Sequence, residues 1–147
     1  MRLTAFTDYS LRVLIHVACA PEGRATIAQV ARAFDISEHH LVKVVHLLGR
    51  EGLLLNTRGR NGGLALARHP TAINVGAVVR LTEGRDVPAE CFEEAGRCAI
   101  APVCRLASVL REALAAFHRA LDGYTLADLV DNRAALASIL HFQPRAA

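Results

Sequence analysis

The reading of the whole chain turns on Thr26-Ile27-Ala28-Gln29-Val30-Ala31-Arg32-Ala33-Phe34-Asp35-Ile36-Ser37-Glu38-His39-His40-Leu41-Val42-Lys43-Val44-Val45. Thr26 stands where a helix cap belongs, and the apolar spacing predicts a short helix over 27–34. Asp35-Ile36 makes the turn. Ser37 then caps a second helix that runs to about Glu51 and is closed by Gly52. Ala31 is small where the two helices must approach, and Val30, Ile36, Leu41, Val44 and Leu48 supply the core between them. This is a helix-turn-helix pattern, whose second helix presents its N-terminal residues to base edges in a major groove. Ser37, His39, His40 and Lys43 fall on that non-core face. The Ser37 hydroxyl and the first-turn N–H groups suit a phosphate.

Downstream, 53–56 and 64–67 read as two short strands around Thr57-Arg58-Gly59-Arg60-Asn61-Gly62-Gly63, with turn chemistry in the Asn61-Gly62 pair. Such a hairpin is a wing. Arg58, Arg60, Asn61 and Gly62 give it a basic tip of little bulk, fit for phosphates or a narrow minor groove. Helix pairs and Gly-rich hairpins are each common structural units. Their succession within about 45 residues is what points to double-stranded DNA.

Charge placement agrees. The chain has 147 residues and a net charge of +3. Residues 1–90 hold 11 basic against 8 acidic side chains, and 91–147 hold 6 of each, so the excess lies around the helix-turn-helix. A composition 52% hydrophobic and 21% charged excludes a disordered or fibrous protein. No apolar run approaches a membrane span. Ala18-Cys19-Ala20 imitates a signal-peptide cleavage site, but Asp8 and His16 spoil the segments before it, and a cytoplasmic location is expected. No Gly-rich phosphate loop follows a strand and no nucleophile–base pair is evident, so an enzyme is not expected.

Upstream, 7–20 reads as an amphipathic helix with Leu11, Leu14, Ile15 and Ala18 on its inner stripe, stopped by Pro21-Glu22-Gly23. A further helix covers 74–81. A loop-like segment over 83–102 follows. The longest amphipathic helix spans 104–121 with Leu106, Val109, Leu110, Ala113, Leu114, Phe117 and Leu121 on one face, more apolar surface than one domain of this size needs. Thr125 and Asp128 cap a last helical stretch that resumes over 134–142. The fold class is mainly α: a winged helix-turn-helix with a small β-hairpin wing and a long C-terminal dimerisation helix. Residues 1–82 are expected to form the DNA-binding domain, 83–104 the loop segment that carries two of the cysteines and ends at a third, and 105–147 the dimerisation helix and C-terminal segment.

Cys91, Cys98 and Cys104 lie within fourteen residues. Three soft thiolates on one loop suit zinc or an iron–sulfur cluster, one ligand short of a closed site. Unconnected thiols, or a redox pair with one to spare, fit the spacing as well. Cys19, inside the first helix, reads as a buried inert thiol. His16 and His118 have no ligand partner at helical spacing and read as structural or surface residues.

Leu3-Thr4-Ala5-Phe6-Thr7-Asp8-Tyr9, Pro21-Glu22-Gly23-Arg24, Arg58 through Gly63, Cys104-Arg105-Leu106 and Tyr124 through Val130 together resemble the NsrR family of nitric-oxide-sensitive repressors, relatives of the iron–sulfur regulator IscR. The resemblance runs from Met1 to about Asn132. It implies a homodimer that binds a palindromic operator and carries an iron–sulfur cluster in each subunit, 4Fe-4S in the first instance and 2Fe-2S in the IscR-type alternative. It assigns Cys91, Cys98 and Cys104 as cluster ligands, and it implies a fourth, Asp8, donated by the other subunit. The neighbours Thr7 and Tyr9 are neutral, so no adjacent cation is expected to pair with Asp8. Six residues separate Cys91 from Cys98, longer than the family spacing, and Glu93-Glu94-Ala95-Gly96-Arg97 takes up the length as loop. The histidine ligand that IscR places three residues after its last cysteine is here Ala107, which favours the nitric-oxide-sensing branch over regulation of cluster supply.

Overall fold

The computed structural model describes residues 3–57, 59, 62–84, 99–100 and 103–140. Helix α1, Ala5–Cys19, is capped by Thr4, whose side chain accepts from the Thr7 N–H. A 3-10 turn, Pro21–Gly23, ends it. Helix α2, Ile27–Phe34, carries a full capping box between Thr26 and Gln29 and stops where Asp35 adopts a left-handed conformation. Helix α3 spans Glu38–Arg50. Strands β1, Leu54–Thr57, and β2, Gly63–Leu66, pair antiparallel with Leu54 opposite Leu66 and Thr57 opposite Gly63. Helix α4, Val75–Glu83, follows an Asn74 cap. Helices α5, Leu106–Asp122, α6, Leu126–Leu129, and α7, Arg133–Ile139, complete the described chain. Winged helix-turn-helix architecture is therefore present as read.

The core gathers Val13, Leu14 and Val17 of α1, Val30 and Ala31 of α2, Leu41, Val44, Val45 and Leu48 of α3, and Leu54 and Leu64 of the hairpin. All five residues expected between α2 and α3 are buried. The inner face of α1 departs from expectation. Thr7, Ser10, Val13, Leu14 and Val17 are buried, while Leu11 and Ile15 lie only partly buried against the core. Two polar residues can face inward because their hydroxyls are satisfied: Ser10 Oγ donates to Phe6 O at 2.8 Å and Thr7 Oγ1 to Thr82 Oγ1 at 2.8 Å.

That second bond belongs to a clasp between the start of α1 and the end of α4. The Thr4 N–H and hydroxyl both donate to Glu83 Oε1, at 2.8 and 3.1 Å. Burial works against the Glu83 carboxylate, but hydrogen bonds from Thr7 and Thr4 outweigh it and hold its pKa below the ordinary value. Beyond α5 the chain returns to the head. The Leu126 N–H donates to Ile73 O at 2.8 Å, the Val75 N–H to Tyr124 O at 3.0 Å, and the Leu126 side chain is buried in the same core.

Candidate nucleic-acid interface and metal-binding segment

Helix α3 divides cleanly. Leu41, Val44, Val45 and Leu48 are buried, whereas Ser37, His39, His40 and Lys43 are all exposed. Ser37 sits at the cap position, yet its side chain makes no cap bond; its carbonyl accepts from the His40 and Leu41 amides instead. The hydroxyl expected to cap the helix thus remains open to an outside partner. His40 stacks on Tyr9 of α1, ring centroids 6.4 Å apart and planes 23° from parallel, and His39 lies 6.2 Å from His40. The Arg12 guanidinium stands over the Phe34 ring at 5.4 Å. Helix α1 therefore touches both members of the helix-turn-helix through side chains near its start. Sequence reading missed two exposed residues on the reading face, Val42 and His46. Their positions three and seven residues beyond His39 were the available signal.

The wing is fixed at its base. Ala25 and Leu64 exchange backbone hydrogen bonds of 3.0 and 2.6 Å, which joins β2 to the segment before α2. Gly63 has φ of +156°, and a Cβ there would meet Ala25 O at 2.9 Å, so a bare backbone is required for this approach. The strands end at Thr57 and Gly63, and the Gly62 N–H donates to Gly59 O at 2.8 Å. That bond joins Gly59 to Gly62. Arg58, Arg60 and Asn61 lie outside the described residues.

Of the proposed ligands, Cys91 and Cys98 lie outside the described residues, so Cys104 and Asp8 carry the test of fit. Cys104 precedes α5 instead of opening it, because the helix begins two residues later. It is partly exposed, and its sulfur accepts from the Leu106 N–H at 3.4 Å. Sulfur is a soft donor of the kind that holds iron or zinc. Asp8 lies in the first turn of α1 and is half exposed. It is not free of cations: Arg12 Nε lies 2.9 Å from Asp8 Oδ2, one turn along the helix. The expectation from Thr7 and Tyr9 failed because helical neighbours are four residues apart, not one. Both donors are accessible and chemically suited to iron. Among the described residues, no three His, Cys, Asp or Glu side chains converge within one chain.

Cys19 is buried, and burial pushes its thiol pKa up, with the Arg133 charge opposing in second place. An inert structural thiol is what the helix pattern predicts. His16 is buried too, edge-on to Phe34 with centroids 6.0 Å apart. Burial lowers its pKa to about 4.

Helix α5 contains seventeen residues and not one is buried. Leu106 and Val109 are 55% and 57% exposed, an apolar ridge left uncovered among the described residues. Among the described residues no helix is long and apolar enough to cross a membrane.

Residues 3–132 match the Rrf2 family, described as an iron-dependent transcriptional regulator. The HTH-type transcriptional regulator NsrR of Geobacillus kaustophilus is 51% identical over 142 residues, covering 95% of this chain and 97% of the relative. The Bacillus subtilis protein of the same name is 46% identical with the same coverage of each chain. Among solved structures, the global cysteine regulator CymR of B. subtilis aligns with a TM-score of 0.68 at 30% identity, covering 90% of this chain and 98% of that one. IscR of T. potens aligns at 0.72 and 25%, covering 90% and 88%. With its reading helix exposed and its wing in place, the chain belongs to the Rrf2 family of transcriptional regulators, as a repressor of the NsrR type.

Proposed function

We propose that this repressor is a cytoplasmic homodimer that senses nitric oxide through an iron–sulfur cluster held by Cys91, Cys98, Cys104 and Asp8 of the partner subunit. The cluster is 4Fe-4S. It supplies an iron that a small diatomic molecule can reach, since a carboxylate is a harder and more exchangeable ligand than the three thiolates. The intact dimer binds a palindromic operator through Ser37, His39, His40 and Lys43 in the major groove and Arg58, Arg60, Asn61 and Gly62 at the flanking minor groove. Nitrosylation releases it. Residues 1–82 read DNA, 83–104 hold the cluster, and 105–147 join the subunits.

The observation that carries this reading is the uncovered ridge of α5, which begins two residues after Cys104. A second copy covering Leu106 and Val109 places the Cys104 thiol beside the subunit boundary, within reach of a ligand from the other chain. Loss of a ligand shared across that boundary loosens the subunits and disturbs the spacing of their reading helices, on which operator binding depends.

The experiment is a visible absorption spectrum of anaerobically purified protein, followed through a nitric oxide titration in the presence of operator DNA. A 4Fe-4S band that bleaches as the DNA is released is the expected result. A colourless, zinc-bearing protein that still binds operator overturns the cluster, and a 2Fe-2S spectrum indifferent to nitric oxide favours a regulator of cluster supply.

A further inference from the structure

Helix α3 exposes Glu38, His39, His40, Val42, Lys43, His46 and Arg50. Six of these seven are polar or charged, and Val42 is the exception, 52% exposed. It is not stray surface. His39, Val42, Lys43 and His46 occupy positions i, i+3, i+4 and i+7, a single stripe opposite the buried Leu41, Val44, Val45 and Leu48. Valine is also a costly choice for an exposed helical position, where straight side chains lose less rotamer freedom. What it offers in return is stiffness. Branching at Cβ confines χ1 in a helix largely to one rotamer, so the backbone alone holds its two methyl groups in a fixed direction.

We propose that Val42 is a specificity-determining residue of this DNA-reading helix, whose methyl groups cover the C5-methyl of a thymine in each half-site. The proposal rests on the reading of α3 as the major-groove element. Thymine is the base that presents an apolar group in that groove, and apolar side chains are its natural partners. The neighbours on the stripe suit other tasks: Lys43 and the two imidazoles carry hydrogen-bonding groups for acceptors on bases or phosphates, whereas the Val42 side chain offers an apolar contact alone. Val42 therefore adds a preference for thymine at one position per half-site, independent of the charged contacts.

The test begins with the full-length, anaerobically reconstituted dimer selecting its sites from a pool of random duplexes. In the selected site each thymine is then replaced singly by uracil, which removes the methyl group and leaves every hydrogen-bonding atom in place. One thymine per half-site is expected to show weaker binding of about fourfold when its methyl is lost, and about fifteenfold when both half-sites are changed, the scale for one and two buried methyl groups. In Val42→Ala, which leaves the buried core residues of α3 in place and improves helix propensity, thymine and uracil operators should bind alike. A wild-type protein indifferent to every thymine methyl overturns the proposal. So does a Val42→Ala protein that keeps the same thymine preference. Recovery of no selected sequence at all instead removes the DNA-reading assignment of α3, and this inference with it.

Discussion

The Arg80 guanidinium lies 2.6 Å from Asp122 Oδ1 and ties α4 to the last turn of α5. Asn74 adds a second tie, its side-chain amide donating to Asp122 O at 2.8 Å. The two helices come this close because Gly76 lies between them without a side chain. A Cβ at Gly76 would collide with Asp122 Oδ1 and come within 3.0 Å of the Asp122 backbone nitrogen. One end of the uncovered helix is thus held against the DNA-reading head.

Gly76→Ala is therefore expected to destabilise the protein by about 1–3 kcal/mol, the usual cost of overpacking a close contact. A fall in the urea midpoint measures it. Arg80→Ala leaves the backbone approach intact and should change the midpoint far less, because both partners of the pair are substantially exposed. Equal losses in the two variants would show that the ion pair, not the close approach, fixes α5.

His16 makes stability depend on pH. Its folded pKa is about 4 against an ordinary 6.5, so the unfolded chain binds the extra proton first. The stability it preserves is fully present above pH 6.5 and is lost as pH falls through that value towards 4, by roughly 3 kcal/mol in all. Glu83, Asp122 and Asp128 also have lowered pKa values, but carboxylates take up protons in the unfolded chain only from about pH 4.5 downwards. The window between 4.5 and 6.5 therefore isolates His16 among these groups. Denaturant midpoints across it should slope in the wild type and flatten in His16→Gln; an unchanged slope in the variant assigns the dependence elsewhere.

The helix-turn-helix was legible because its signals are local. Thr26 and Gln29 close a capping box within four residues, and the α2–α3 core follows the helical period. The inner face of α1 was harder to read. Ser10 and Thr7 look outward-facing by polarity alone, and only Phe6 O and the distant Thr82 hydroxyl make their burial tolerable. Arg12 was within reach of sequence reasoning, four residues from Asp8, had helical rather than sequential neighbours been considered. The return of Leu126 into the head core was not legible, since it depends on a backbone bond to Ile73 more than fifty residues away. Val42 fell outside the reading for a different reason: an apolar residue on a helix is assigned to the core until its exposure is known.

Lys43 and Arg60 test the DNA face from its two halves, the reading helix and the wing. Each contact to a base edge or phosphate contributes about 1–3 kcal/mol, so Lys43→Ala should weaken operator binding by roughly one to two orders of magnitude. Lys43 is exposed and makes no ion pair among the described residues, so its loss should leave folding unaltered. The combined Lys43→Ala, Arg60→Ala protein should lose more. Gel-shift titrations at fixed salt measure both, and wild-type affinity in the double variant would remove this face from the interface.

Asp8 carries the last prediction, because its proposed ligand role must compete with its partner on α1. In the isolated chain the carboxylate is held by Arg12 at 2.9 Å, a half-exposed pair of the kind that contributes little. In the proposed cluster, an iron held by three thiolates would compete with Arg12 for the same oxygens. Whether Asp8 serves its own chain or the other is decided by a mixed dimer, one chain bearing Asp8→Ala and the other Cys98→Ser. If the carboxylate acts across the boundary, the Asp8→Ala chain keeps all three cysteines and receives Asp8 from the partner subunit. One complete site forms. If it acts within its own chain, one subunit lacks its carboxylate and the other lacks a thiolate, so no complete site exists anywhere. The expected result is one intact cluster per mixed dimer, responsive to nitric oxide, counted by iron content and visible absorption. A count of zero removes Asp8 as a ligand shared between subunits.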